Sequence, residues 1–467
     1  MTPRSASPAP GLLIGAPRSG SGKTTITLGL QRALVRRGLA VRGLKCGPDY
    51  IDPAFHAAAT GKPSANLDSF AMPDLLLASL VDEASQGSDL ILAEGSMGLF
   101  DGVRRPFHLE RDAGGKPGAT FPHPAPPGHT GASADIAAFC GWPVVLVIDV
   151  SGQAQSAAAV ALGCRSFDPR IQIAGVILNK VASERHRRLV ADGMAAIGLP
   201  VFGALPREAS LILPERHLGL VQAGETADLH ARLDALAQAI EASVDLDALV
   251  AAAASTRPAS SSSTHHALPP PGQRIAIARD AAFSFVYAHV ESGWAAQGAT
   301  LSFFSPLADE PPPRDCDVCW LPGGYPELHA GKLAAAERFR AGIHSFAETR
   351  PVHGECGGYM VLGDALEDAD GTAHRMLGLL PVTTSFAKRK LNLGYRVARL
   401  NADGILGPRR TVLIGHEFHY ASTTSAAPSE TQAFARNADA EGNDLGFSGH
   451  RAGHVSGTFF HAIARSL

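Results

Sequence analysis

The chain has 467 residues, too many for one ordinary hydrophobic core, so two domains are the natural expectation. Apolar residues make up 45% and charged residues 18%, an ordinary balance for a globular protein, and no apolar run approaches the ~20 residues that span a bilayer. A formal net charge of −3 argues against a general nucleic-acid binder, although it leaves room for a local basic site.

The opening MTPRSASPAPGLLIGAP lacks a secretory pattern, and its apolar stretch runs straight into a glycine-rich turn. It reads as a strand over residues 12–16, and the cytoplasm is the expected compartment. An amphipathic helix follows over 24–37, ending before Gly38. Residues 90–94 (LILAE), 144–149 (VVLVID) and 173–179 (IAGVILN) are apolar runs of strand length, as buried parallel strands require. Helices between them predict a doubly wound, mostly parallel α/β domain over 1–254. Residues 106–130, rich in Pro, Gly and His, read as a long solvated loop. The spacing of His108, His123 and His129 fixes no metal geometry. A Ser/Pro linker is expected over 255–272, followed by a second α/β domain over 273–467. Cys316 and Cys319 form a CxxC with no second pair, so buried thiols on a strand are expected rather than zinc.

The segment GAPRSGSGKTT, residues 15–25, is a phosphate loop between a strand and a helix. Backbone N–H groups of such a turn, with the helix N-terminus, form an anion site. Gly20 and Gly22 admit close approach of phosphate, Lys23 reaches the outer phosphates, and Thr24 offers a hydroxyl to Mg²⁺. Ser21 and Thr25 complete the loop. Pro17 stands where the first glycine of the usual pattern falls. The next strand leads into KCGPDYIDPAFH, where Asp49 and Asp52 are flanked by Lys45 and His56. Beside a phosphate loop, such an acidic pair either holds Mg²⁺ or orients a substrate; the plain alternative is turn chemistry. Glu94 ends its strand ahead of GSMGLFDG, which carries Asp101, and an acid there is placed for a metal. Asn179 ends another strand and either reads a nucleotide base or closes a turn.

Far downstream, GECGG at 354–358 fits the strained elbow that presents a nucleophile, here Cys356. Upstream, the amides of Gly323 and Gly324 in LPGGY, with that of Gly357, are placed to form an oxyanion hole. A thiol nucleophile needs a base. His461 in GTFFHAI is the leading candidate, with His416, His419 and His454 as rivals.

Taken in order, GAPRSGSGKTT, KCGPDYIDPAFH, AEGSMGLFDG, LPERHLGLVQAGE, LPGGYPELHAG, GECGGYMVLG, GHEFHYAS and GTFFHAI resemble the cobyrinate/hydrogenobyrinate a,c-diamide synthases of cobalamin biosynthesis. The resemblance spans nearly the whole chain except the loop at 106–130 and the linker. It implies a P-loop domain of the dethiobiotin-synthetase type joined to a class I glutamine amidotransferase domain. It further implies ATP- and Mg²⁺-dependent, glutamine-driven amidation of the a and c carboxylates of a corrin ring. By residue match, Cys356 is the nucleophile and His461 activates it. Gly20, Ser21, Gly22, Lys23, Thr24, Thr25 and Asn179 fall to ATP. Lys45, Asp49, Tyr50, Asp52 and Asp101 fall to substrate or intermediate, and Thr24, Asp49 and Glu94 to the metal. Class I amidotransferases typically carry Glu two residues after the catalytic His; here that position is Ile463, and a Cys–His pair is the expected arrangement. Arg207, Arg216, Lys388 and Lys390 are candidates for the corrin carboxylates. The local wording leans toward the metal-free substrate, hydrogenobyrinate. The implied partners are a corrinoid, glutamine and ATP, without nucleic acid or membrane insertion; a homodimer is left open. The rival readings are a sister amidase for the remaining corrin carboxylates and a non-enzymatic nucleotide switch.

Overall fold

The hydrophobic pattern resolves into two separate sheet systems in a computed structural model that describes residues 8–103, 129–207, 215–216, 219–220, 222–256 and 267–466. The chain divides into two compact units, one holding the described residues up to Thr256 and the other those from Ala267 onward.

In the first unit the apolar runs become β1 (Pro10–Gly15), β2 (Val41–Cys46), β3 (Ala65–Leu67), β4 (Leu90–Glu94), β5 (Val144–Asp149), β6 (Ile173–Val181) and β7 (Val201–Pro206). They lie in the order β3-β2-β4-β1-β5-β6-β7, and every pairing along that path is parallel. Every residue of β4 and of β5 is buried, as expected for strands covered on both faces by helices. The helix α1 (Lys23–Arg36) follows β1 and packs against the helix Leu229–Ser243. Gly29 permits this packing, because a Cβ there would meet Ile240 Cγ1 at 2.6 Å.

The expected linker start needs a correction. Ala254–Ser255 forms a short strand antiparallel to β1, pairing Pro10 with Ser255. Thr256 is buried, its hydroxyl accepting from Trp142 Nε1 at 2.9 Å and donating to the Ala9 carbonyl at 2.6 Å. Composition alone reads Ser255 as linker, whereas backbone pairing with β1 ties it to the sheet. Most of the expected loop at 106–130, with His108 and His123, lies outside the described residues, as does most of the expected linker. His129 is described and sits 3.4 Å from Asp74.

In the second unit, strands Thr300–Phe304, Arg274–Ala278, Val318–Leu321, Val352–Glu355 and Val455–Thr458 run parallel in that spatial order, and His450–Ala452 closes the edge antiparallel. A second, antiparallel sheet is built from Asp444–Ser448, Ala435–Asp439, Asn392–Leu400, Val412–His419 and His461–Arg465. Cys316 and Cys319 are buried at and just before the strand Val318–Leu321, as the apolar setting of that CxxC predicts. Among the described residues no helix is long and apolar enough to cross a membrane, and no cluster of three or more His, Cys, Asp or Glu forms a metal nest.

Candidate active site

The phosphate loop joins the carboxyl end of β1 to the first turn of α1. Gly20 and Gly22 both adopt positive φ, 72° and 90°, and Gly22 is the N-cap of α1. Such angles favour glycine. Gly22 is doubly constrained, since a Cβ would lie 2.2 Å from Asn179 Nδ2. Asn179, within β6, donates from Nδ2 to the Ser21 carbonyl at 2.8 Å and accepts the Lys180 N–H on Oδ1 at 2.9 Å. The carboxamide is therefore engaged with the loop itself. Lys180 and Arg18 donate to Asp149 Oδ2 at 2.9 and 3.1 Å, a charge cluster at the loop's edge that sequence reading did not single out.

Lys23 Nζ donates to the Met97 carbonyl at 2.5 Å, and Met97 itself has φ 47°. Burial, with Lys45 adding repulsion, lowers the Lys23 ammonium to about 8. Thr24 donates to Glu94 Oε1 at 2.6 Å, and Lys45 Nζ reaches the same oxygen at 2.9 Å and Asp52 Oδ2 at 2.5 Å. His56 Nε2 sits 2.8 Å from Glu94 Oε2. Burial opposes charge on both Lys45 and Glu94. The Asp52 and Glu94 carboxylates outweigh it and hold Lys45 well above the usual lysine range, while Lys45 and His56 hold Glu94 well below the carboxylate range. Burial and the neighbouring Asp49 push Asp52 up to about 8 against the pull of Lys45. A hydroxyl and a buried carboxylate beside a phosphate loop are the oxygen donors a hard cation takes, so Thr24 and Glu94 fit Mg²⁺.

Asp49 Oδ1 accepts the N–H groups of Ile51 and Asp52 at 2.8 and 2.9 Å, holding the entry to α2 (Asp52–Thr60). Asn66 braces the same loop through the Gly47 and Asp49 carbonyls. Tyr50 lies on this loop, half-buried. Asp101 Oδ2 accepts the Gly98 N–H at 2.8 Å in the turn after β4. Thr25 lies on the first turn of α1. Thus Thr24, Lys45, Asp52, His56 and Glu94 converge through direct contacts, Lys23 lies near enough to feel their charges, and Asp49 and Asp101 shape the loops around them. Arg207 donates to Ser151 at 3.0 Å, Lys388 and Lys390 are exposed, and the Arg216 side chain lies outside the described residues.

In the second unit the strand Val352–Glu355 turns into the helix Gly357–Leu362 at Cys356, whose φ of 47° and ψ of −103° are strained for a residue with a Cβ. Bonds from Cys356 N to the Thr458 carbonyl at 2.8 Å and from Gly358 N to the Pro322 carbonyl at 3.0 Å hold the elbow. A Cβ on Gly358 would lie 1.9 Å from the Leu321 carbonyl oxygen, so only glycine lets helix and strand approach this closely. Gly323, Gly324 and Gly357 meet at the same point. A Cβ on Gly323 would come 2.6 Å from His461 Cε1 and 3.4 Å from Cys356 Cβ, and one on Gly357 would come 3.1 Å from Gly324 N.

His461 begins the last antiparallel strand and comes up to the Cys356 elbow, with Gly323 lying against both side chains, so the pair is drawn from two different sheets. Burial alone would lower the imidazolium; Cys356 and Glu355 outweigh it and push it up to about 10. Of the rivals, His416 stacks on His461 with ring centroids 5.1 Å apart, and burial followed by His461 holds it well below the usual histidine range. His419 is buried against Phe459 and bonded to the Ala421 carbonyl, and His454 is exposed. Sequence reading missed Glu355 as a partner of His461 and left His56 as a mere flank. The available signal was chemical: an acid inside an otherwise buried strand requires a partner.

Two family models match in tandem. Residues 12–221 match a CobQ/CobB/MinD/ParA nucleotide binding domain, and residues 274–466 match a CobB/CobQ-like glutamine amidotransferase domain. The chain is 58% identical over 455 residues to a hydrogenobyrinate a,c-diamide synthase of Mesorhizobium japonicum, covering 97% of this chain and 98% of the relative. Proteins of the same name from Agrobacterium fabrum and Rhodobacter capsulatus are each 54% identical over the same shares of both chains. Both matched domains thus lie in a chain that aligns with these relatives over 97% of its length, and the chain belongs to the hydrogenobyrinate a,c-diamide synthase family.

Proposed function

We propose that the chain amidates the a and c side-chain carboxylates of hydrogenobyrinate, using ATP to activate each carboxylate and glutamine to supply the nitrogen. The observation that carries this reading is the likeness over 97% of the chain to synthases of that name, joined to a phosphate loop and a thiol elbow in a single polypeptide. The loop amides and Lys23 bind the nucleotide phosphates, and Asn179 keeps the loop in shape. Thr24 and Glu94, with Asp49, would hold Mg²⁺, which when bound supplies charge neutralisation on the phosphates. Lys45, Asp52, Tyr50 and Asp101 surround the place where carboxylate and terminal phosphate meet.

A carboxylate oxygen attacks the terminal phosphate, ADP leaves, and an acyl phosphate remains. In the amidotransferase unit the Cys356 thiolate attacks the side-chain amide carbon of glutamine. The N–H groups of Gly323, Gly324 and Gly357 serve the developing oxyanion. His461 delivers the proton with which ammonia departs, and water then releases glutamate from the thioester. Ammonia displaces phosphate from the acyl phosphate and forms the amide. The cytoplasm, which holds ATP and keeps thiols reduced, is the compartment this reading assigns.

Cys356→Ala tests the division of labour. Amide synthesis from glutamine should vanish while synthesis from concentrated ammonium salts persists; loss with both donors in a folded variant would overturn it. Product masses after incubation with hydrogenobyrinate, and separately with cobyrinate, distinguish this activity from that of a sister amidase. Two carboxyl-to-amide exchanges on hydrogenobyrinate are expected, and exchange only on a substrate already amidated at a and c would favour the sister.

A further inference from the structure

By the two-residue period of a strand, a carboxylate at position 463 would share a face with His461. That position is Ile463, fully buried, and its carbonyl oxygen sits 3.1 Å from His289 Nε2. An acid nevertheless reaches the His461 ring from the opposite direction in the chain. Glu355, the last residue of the strand Val352–Glu355, places Oε2 3.7 Å from His461 Nδ1, while Oε1 accepts the Ala462 N–H at 3.1 Å. The side chains are 1% and 7% exposed for His461 and Glu355, so solvent screens their attraction little.

We propose that Glu355 is the positioning acid of the glutaminase site, fixing the His461 imidazole from the nucleophile's own strand. This rests on the glutaminase reading given above. The Ala462 N–H fixes one oxygen of the carboxylate and turns the other toward Nδ1, which leaves the remaining ring nitrogen for Cys356. One strained turn then sets both nucleophile and acid, because Glu355 and Cys356 are adjacent. Other groups near the His461 ring favour charge on it less. His416 stacks on it as a neutral ring with Nε2 2.7 Å from the Tyr287 hydroxyl. His419 lies on the same strand as His416 and is held below its usual range by burial. Arg396, on the strand beyond, is paired with Glu417 at 3.0 Å. Among the described residues, Cys356 and then Glu355 are the groups that favour charge on the imidazole.

The test separates charge from packing. Glu355→Gln keeps an oxygen to accept the Ala462 N–H and removes only the negative charge; Glu355→Ala removes both. Glutamine hydrolysis is measured with ATP and hydrogenobyrinate present, alongside thermal melting of each variant. For Glu355→Gln, kcat should fall roughly tenfold or more with KM changed little. The alkaline limb of its kcat/KM profile should move to lower pH, because an imidazolium without its anion loses its proton sooner. A normal Glu355→Gln enzyme beside an impaired Glu355→Ala enzyme would reduce Glu355 to a structural acceptor and overturn the proposal. If Glu355→Gln does not fold, the wild-type profile decides: an alkaline limb near the ordinary imidazole range of about 6.5 overturns it, and one well above supports it. Wild-type enzyme that makes amide from ammonium but never hydrolyses glutamine would instead overturn the glutaminase reading, and this inference with it.

Discussion

Gly22→Ala should abolish tight ATP binding while leaving the chain folded. The new Cβ would meet Asn179 Nδ2 at 2.2 Å, and the residue would have to hold φ near 90°. The backbone strain alone costs about 1–2 kcal/mol. Displacing Asn179 also frees the Ser21 carbonyl that its amide now holds. Asn179→Ala removes the tether without the strain and should weaken ATP binding by a smaller factor, roughly fivefold to tenfold for one lost hydrogen bond. Titration calorimetry with a non-hydrolysable ATP analogue measures both. Unchanged affinity in the Asn179 variant would leave the amide with no part in holding the loop. Asn179 also marks the boundary of what one residue reveals. Its place at a strand end is legible from the run IAGVILN, but its partner Ser21 lies 158 residues away and is supplied by the parallel sheet.

At the scale of elements, the elbow depends on one glycine more than on the thiol it presents. Gly358→Ala sets a Cβ 1.9 Å from the Leu321 carbonyl, a backbone atom of the neighbouring strand that cannot step aside. Destabilisation should exceed about 3 kcal/mol, as for other severe overpacking. Gly198→Ala is the comparison: φ is 68° there but nothing lies within 4 Å, so the loss should stay near the 1–2 kcal/mol of backbone strain. Urea titration of both variants checks the contrast, and similar midpoints would refute the close-approach argument. The parallel strands at 90–94 and 144–149 were legible because both faces are buried and the runs are continuously apolar. The strand at 173–179 continues to Val181 and the helix at 24–37 starts one residue earlier, at Lys23, since hydrogen bonding sets element ends more finely than pattern does. The meeting of Cys356, His461 and the glycines around them was legible because turn chemistry and nucleophile chemistry constrain those residues locally. Glu355 was not, because its meaning depends on a strand 107 residues away in the bond to Ala462.

At the scale of the whole molecule, the need for two chemistries in one chain follows from the leaving group. A carboxylate would have to expel oxide, which no ordinary active site makes feasible; phosphorylation replaces oxide with phosphate. One carboxylate oxygen must therefore end in inorganic phosphate for every amide made. With hydrogenobyrinate labelled with ¹⁸O at the a and c carboxylates, mass spectrometry of the released phosphate should show one labelled oxygen per amide. The nucleotide product should be ADP, because the proposed function sets Lys23 and the Thr24–Glu94 pair against the terminal phosphate. Glu94→Gln keeps the volume of a residue that Thr24, Lys45 and His56 all engage, but removes its charge. It should slow both amidations by roughly 10²-fold or more, in the range seen when one transition-state electrostatic partner is removed. Glutamine hydrolysis, which the proposed function gives to Cys356 and His461, should survive better than synthesis in that variant. Label recovered in AMP would mean that the carboxylate is adenylated, and the roles given to Lys23, Thr24 and Glu94 would have to be reassigned.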